Sequence, residues 1–95
     1  MSNEHKLKTW PKHFDAIVLG RKRFELRRND RDFHVDDTLR LEEWNPETSD
    51  YTGRVAHATV EYILRHGEGE PAEPPEGFVI MSIRPWLTAM RGVSR

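Results

Sequence analysis

The fourteen residues GRKRFELRRNDRDF, at positions 20–33, contain the change of period that decides the fold. Gly20 is typical of a helix C-terminus, because glycine readily adopts the left-handed conformation that ends many helices. After it, apolar and polar residues alternate, which predicts a strand with Phe24 and Leu26 on a buried face. The run from Asn29 to Asp32 has turn chemistry. The stretch therefore predicts a helix end, a strand and a turn in succession.

Strand patterns surround this stretch on both sides. Residues 5–10 are predicted to be extended, and a helix of roughly ten residues is predicted from Pro11, with apolar positions three and four apart. Further strands are predicted at residues 38–44, 54–65 and 77–84. In the first of these, Trp44 falls out of phase, which indicates a bulge or the strand end.

The remaining segments are predicted to be irregular. Residues 66–76, HGEGEPAEPPE, are predicted as an exposed acidic loop because they are rich in Gly, Pro and Glu. Residues 85–95 are predicted as a C-terminal turn or tail. Four or five strands with one or two short helices predict a mainly β (α+β) fold, a small pseudo-barrel of mostly antiparallel strands. The whole chain, residues 1–95, is predicted to be a single domain.

Charge is segregated along the chain although the formal net charge is only -1. Residues 1–35 hold nine Lys/Arg against five Asp/Glu, and residues 77–95 hold three against none. Residues 36–76 hold three Lys/Arg against eleven Asp/Glu. A local basic patch can meet phosphates even in a near-neutral protein, so nucleic-acid binding is allowed if it is local.

Several classes of site are excluded by the residues present. The chain has no cysteine, which excludes disulfides, thiolate zinc sites and cysteine nucleophiles. The five histidines show no metal-ligand spacing, and neither a serine-hydrolase elbow nor a P-loop is present, so no metal and no cofactor are expected. Without a long apolar run or a signal-peptide pattern, the protein is expected to be soluble and cytoplasmic, with no membrane partner.

The candidate ligand-binding residues cluster around the opening stretch. Side chains two apart in a strand share a face, so Arg23, Glu25 and Arg27 are predicted to project together, with Glu25 holding an arginine fork. The alternative is a solvated strand face with screened surface ion pairs. Four aromatic side chains are candidates for stacking on unpaired bases, namely Trp10, Trp44, Tyr51 and Trp86. For each of them the alternative is packing in the core.

The octet from Gly20 to Arg27 resembles the G-x-K-x-x-E-x-R pattern of the ASCH domains, small β-barrels of the PUA-like superfamily. With its flanking strands the resemblance extends over nearly residues 5–84 and is closest to short ASCH-like proteins of bacteria and their phages. It implies a cleft between the helix and the strands, suited to RNA or a modified nucleoside. The residues predicted to bind nucleic acid or ligand are Lys8, Trp10, Gly20, Arg21, Lys22, Arg23, Glu25, Arg27 and Arg28.

Some proteins similar to this family remove an acyl group from N4-acylated cytidine with the motif lysine, a threonine and a later glutamate. The resemblance implies Lys22 and Glu25 as the catalytic residues if the protein is an enzyme. Glu25 stands here at the threonine position, and only Glu61 and Glu68 are candidates for the later glutamate. Relatives also often have a glycine where Asp36 stands, so this turn is expected to be shaped differently.

Three functional hypotheses follow. The first is an RNA- or nucleic-acid-binding module that uses a basic cleft around the motif. The second is a small amidohydrolase acting on a modified nucleoside such as N4-acylcytidine. The third is a phage or bacterial regulatory protein whose acidic surface, including residues 66–76, meets a basic protein partner.

Overall fold

One curled sheet of five strands forms most of the protein. The computed structural model describes residues 3–90. Its elements in chain order are β1 (Glu4–Thr9), α1 (Pro11–Val18), β2 (Phe24–Arg28), β3 (Thr38–Asn45), β4 (Asp50–Arg65) and β5 (Phe78–Met90). The strand order is β1-β3-β4-β5-β2, in which only β1 and β3 are parallel. The predicted mainly β fold with mostly antiparallel pairing is confirmed, as a half-barrel.

The core lies inside the curl of the sheet. Alternate residues of β3, β4 and β5 point inward, and the helix covers them with Phe14 and Ile17, both fully buried. Each large apolar side chain buried in this way contributes roughly 1.5–3 kcal/mol. The other members of the core are Leu7, Phe33, Leu39, Leu41, Ala56, Ala58, Val60, Val79, Met81 and Ile83.

A tight turn at Gly20 connects the C-terminus of α1 to β2. Gly20 has a φ of +76°, the left-handed conformation predicted for it. The amides of Arg21 and Lys22 both donate to the carbonyl of Ala16, at 2.9 and 3.0 Å. One orphan carbonyl of the last helical turn is thereby satisfied, and Arg21 and Lys22 are held against the helix end.

An ionic cluster fixes α1 to the sheet. Arg54 on β4 donates two hydrogen bonds of 2.9 Å to Glu43 on β3 and a third to Asp15 on α1. The hydrogen bonds from Arg54 outweigh burial and lower the pKa of Glu43, while the same bonds raise the pKa of Arg54. Charge-assisted hydrogen bonds are stronger than neutral ones, so this cluster links α1 to β3 and β4.

The faces of β2 are the reverse of the prediction. Phe24 and Leu26 are half exposed, whereas Glu25 is 2% exposed. The register explains this, because Glu25 pairs with Met81 and Arg27 with Val79, both core residues of β5. Residues paired across a sheet share a face, so Glu25 and Arg27 point inward.

The predicted C-terminal turn or tail is wrong for residues 85–90, which continue β5. They pair with β4 as far as Arg54. The register shift between His57 and Ala58 places Pro85 beside a bulge, where proline is tolerated. Residues 91–95 lie outside the described part of the chain.

Strand β3 contains a bulge, and the connections include a surface loop and a turn with a left-handed residue. The register of β3 shifts between Glu42 and Trp44, as the phase of Trp44 predicted. The acidic loop 66–76 lies on the surface except at Pro74, which is buried and whose carbonyl accepts a 3.1 Å hydrogen bond from His66. Asp36 has a φ of 77°, the left-handed conformation typical of glycine, which does not support the expectation that an aspartate here changes the shape of the turn. Within residues 3–90 the structure contains no helix with the length and apolarity that crossing a membrane requires.

Candidate functional site

The two edge strands, β1 and β2, face each other without pairing and leave a seam between them. At the seam lies a cavity of about 500 Å³, called the cleft below. Its walls come from the end of β1, the start of α1 and the motif on β2. The lining residues are Lys8, Thr9, Trp10, His13, Lys22, Phe24, Glu25, Leu26 and Arg27.

Arg27 holds the seam together at this point. Its Nε lies 2.8 Å from Glu25 Oε1, and its Nη2 donates to the carbonyl of Lys8 at 2.9 Å and to Thr9 Oγ1 at 3.4 Å. A side-chain fork thus replaces the backbone ladder that would close a full barrel. Because Glu25 is buried and fixes the fork on one side, the guanidinium is held in a single orientation.

Lys22 is held between two residues of the cleft. Its Nζ lies 3.5 Å from Glu25 Oε2 and 3.0 Å from His13 Nδ1. Burial, followed by the charge of Lys22, lowers the pKa of His13 below its ordinary value of 6.5. Since an ammonium group only donates, His13 Nδ1 accepts this hydrogen bond as a neutral imidazole. The lysine is therefore positioned by helix and strand together.

Apolar surfaces complete the walls. Trp10, immediately before α1, is 55% exposed, and Phe24 and Leu26 on the opposite wall are about half exposed. Lys22 Nζ lies 5.2 Å from the centre of the Phe24 ring, within cation–π range. Exposed aromatic side chains beside cations form a surface on which a planar aromatic ligand can stack.

The charge of the cleft is positive. Three cations line it, namely Lys8, Lys22 and Arg27, against the single carboxylate of Glu25, while His13 is neutral. The carboxylate is buried beneath its partners. The net charge of the cleft lining therefore favours an anion or an electron-rich ring.

Comparison with known proteins places the chain in a family. Residues 4–83 match the model described as Domain of unknown function (DUF3850). The chain belongs to the DUF3850 family. The matched region includes every residue of the cleft. A curated relative of the DUF3850 chain, the "Uncharacterized 12.9 kDa protein in GpA 3'region" of Escherichia phage P2, is 38% identical over 77 aligned positions that cover 70% of this chain and 69% of the relative.

Five of the nine predicted binding residues meet in the cleft of this DUF3850 member: Lys8, Trp10, Lys22, Glu25 and Arg27. The other four lie outside it. Gly20 forms the preceding turn, and Arg21 is exposed. Arg23 Nε donates to the carbonyl of Gly20 at 3.3 Å, and the Arg28 guanidinium lies 5.3 Å from the Phe78 ring centre. The predicted Arg23–Glu25–Arg27 group is wrong, because Arg23 precedes β2 and Lys22 takes its place beside Glu25.

Four lining residues escaped the sequence prediction: Thr9, His13, Phe24 and Leu26. For two of them, Thr9 and His13, the sequence contains a positional signal. Thr9 has the same strand parity as Leu7, and His13 stands one helical turn after Trp10. The alternation predicts a buried face for Phe24 and Leu26, and only the register of β2 on β5 shows otherwise.

The other candidates lie elsewhere in the DUF3850 fold. Trp44 packs edge-on against Tyr51 at 4.9 Å, and Trp86 stacks on His57 at 5.3 Å. Neither Glu61, paired with Arg84 at 3.2 Å, nor the exposed Glu68 lines the cleft. Among residues 3–90, no group of three or more His, Asp or Glu side chains is arranged to hold a metal ion.

Proposed function

We propose that the protein binds RNA in the cleft, with an unpaired base stacked against the exposed aromatic rings of Trp10 and Phe24. One observation carries this proposal: half-exposed Trp10 and Phe24 stand on opposite sides of an open cavity whose charged lining is net positive. Proteins that bind single strands combine these two features, because stacking holds bases of any sequence and cations neutralise the backbone.

The size of the cleft fits one nucleotide. A cavity of about 500 Å³ lies within the range of roughly 300–1,000 Å³ typical of small-molecule sites. Lys8, Lys22 and Arg27 are the groups proposed to contact phosphate or base edges, and Glu25 and His13 hold two of them in place. The resemblance to the ASCH domains, in which the same motif lines a cleft suited to RNA, supports this assignment.

The proposal is tested by fluorescence anisotropy with a labelled single-stranded RNA of ten mixed-sequence nucleotides and with its duplex. Trp10→Ala is expected to weaken single-strand binding by about 1–3 kcal/mol, roughly 5–150-fold. Trp86→Ala is the matched control, since Trp86 is equally exposed but outside the cleft. Equal effects of the two substitutions, or tighter binding of the duplex, would contradict a stacked, unpaired base.

A small amidohydrolase acting on a modified nucleoside is the second candidate. It is favoured by the presence of a threonine hydroxyl, Thr9 Oγ1, in the same cleft as Lys22 and Glu25. However, Thr9 Oγ1 donates to the carbonyl of Leu7 at 3.3 Å and accepts from Arg27, and within residues 3–90 it has no hydrogen bond to Lys22 or Glu25. Incubation with N4-acetylcytidine distinguishes the candidates, because only the hydrolase releases cytidine and loses that activity on Thr9→Val.

A further inference from the structure

A second cavity, of about 200 Å³, lies further along the seam. It is called the arginine cavity below. Its lining consists of Leu7, Arg27, Arg28, Asp30, Arg31 and Phe33. Arg27 lines both cavities, so the cleft and the arginine cavity adjoin at this residue.

The arginines of this cavity retain unused donors. Arg31 Nη1 donates to the carbonyl of Lys6 at 2.9 Å, which fixes the side chain across the seam. Arg28 is held over Phe78, and in residues 3–90 neither Arg28 nor Arg31 has a carboxylate within ion-pair distance. Each guanidinium has five N–H donors, so most of those on Arg28 and Arg31 are available to a ligand.

The surroundings strengthen this positive charge. Three arginines line the cavity against one carboxylate, Asp30, which forms no ion pair with any described residue. Leu7 and Phe33, both almost fully buried, form part of the lining. Apolar walls beside cations strengthen the field in the cavity.

From these contacts we infer that the arginine cavity binds a phosphate group of the nucleotide whose base occupies the cleft. Arginine forks match phosphate oxygens in pairs, and a volume of about 200 Å³, below the roughly 300–1,000 Å³ typical of small-molecule sites, suits a phosphate group better than a base with its sugar. This inference rests on the proposed function and deepens it. The ligand is then a phosphorylated nucleotide or strand and not a free nucleoside, and Arg27 sets its direction along the seam.

Calorimetric titration tests the inference at constant ionic strength with the four ribonucleosides, their 3′- and 5′-monophosphates, and inorganic phosphate. For wild-type protein, one of the monophosphates is expected to bind about tenfold or more tightly than its nucleoside. Arg28→Gln should remove most of that gain and leave the affinity for the nucleoside unchanged. Arg21→Gln, which removes an exposed charge outside both cavities, should keep the gain.

The possible failures are distinguishable. Nucleoside binding with no gain from either phosphate, or a gain that survives both Arg28→Gln and Arg31→Gln, overturns the arginine cavity but not the cleft. Inorganic phosphate binding as tightly as the monophosphate overturns it in favour of a free-phosphate site. If neither nucleosides nor monophosphates bind, the proposed function itself fails. Circular dichroism of Arg31→Gln checks its folding, since Arg31 also bonds to β1.

Discussion

The ion pair between Glu25 and Arg27 should contribute far more to stability than a surface pair of similar geometry. Glu25 and Arg27 side chains are 3% and 26% exposed and 2.8 Å apart. Glu61 and Arg84, on the neighbouring strands β4 and β5, are 3.2 Å apart but 50% and 58% exposed. The protein therefore contains its own matched control for the effect of burial.

The expected magnitude follows from these exposures. Removing one partner of a fully buried pair costs about 3–5 kcal/mol. Arg27 is a quarter exposed, and Lys22 remains 3.5 Å from Glu25, so for Arg27→Ala we scale that cost down to about 2–3 kcal/mol. Arg84→Ala should cost about 0–0.5 kcal/mol, as exposed pairs do.

A double-mutant cycle measures both pairs. Urea unfolding followed by circular dichroism gives the free energies for Glu25→Ala, Arg27→Ala and the double variant, and for the same three changes at Glu61 and Arg84. The coupling energy should be about 1–2 kcal/mol at the buried pair and near zero at the exposed one. Arg27→Ala should also lower Tm by about 10–20 °C, since 1 kcal/mol shifts Tm by roughly 4–8 °C in a domain of this size. Equal costs for Arg27→Ala and Arg84→Ala would refute the view that Arg27 closes the seam.

Three further predictions concern the backbone and the titrating groups. Gly20→Ala should destabilise the protein by about 1–2 kcal/mol in urea unfolding, because φ at Gly20 is +76°; an unchanged midpoint would contradict this. Hydrogen bonds from Asn3, His5 and His34 outweigh burial and lower the pKa of Asp37. The contribution of Asp37 to stability should therefore disappear as pH falls from 3.8 through the lowered pKa. Unfolding curves of Asp37→Asn should lack that part of the pH dependence. Because the pKa of His13 is lowered in the folded protein, the unfolded chain binds a proton at His13 at higher pH than the folded chain does. The stability of the wild type should therefore fall as pH drops below 6.5, and less steeply in His13→Gln. NMR titration of the imidazole checks the direction of the shift.

Local patterns were sufficient for the order of elements. The change of period at Gly20 placed the end of α1 and the start of β2, and the phase of Trp44 placed the bulge in β3. These features depend on residues close together in the chain, which is why the sequence predicts them.

The faces of β2 could not be predicted in the same way. Alternation shows that two faces differ but not which of them meets the core, and here charge partners decide. Glu25 is tolerated inside because Lys22 from the helix end and Arg27 from its own strand neutralise it. Four of the nine cleft residues are therefore not predicted from the sequence, since the walls come from β1, α1 and β2, which are adjacent only in the folded sheet.

The salt dependence of RNA affinity tests the central claim, a cationic cleft that holds a nucleic-acid strand, most directly. The logarithm of the binding constant for the ten-nucleotide RNA should fall linearly with the logarithm of salt concentration. Lys22→Ala should reduce the steepness by about 0.7, the value for one phosphate contact on a single strand, whereas Arg21→Ala should leave it unchanged. A slope near zero in the wild type, or a slope that Lys22→Ala does not alter, would contradict the cleft as the site of binding.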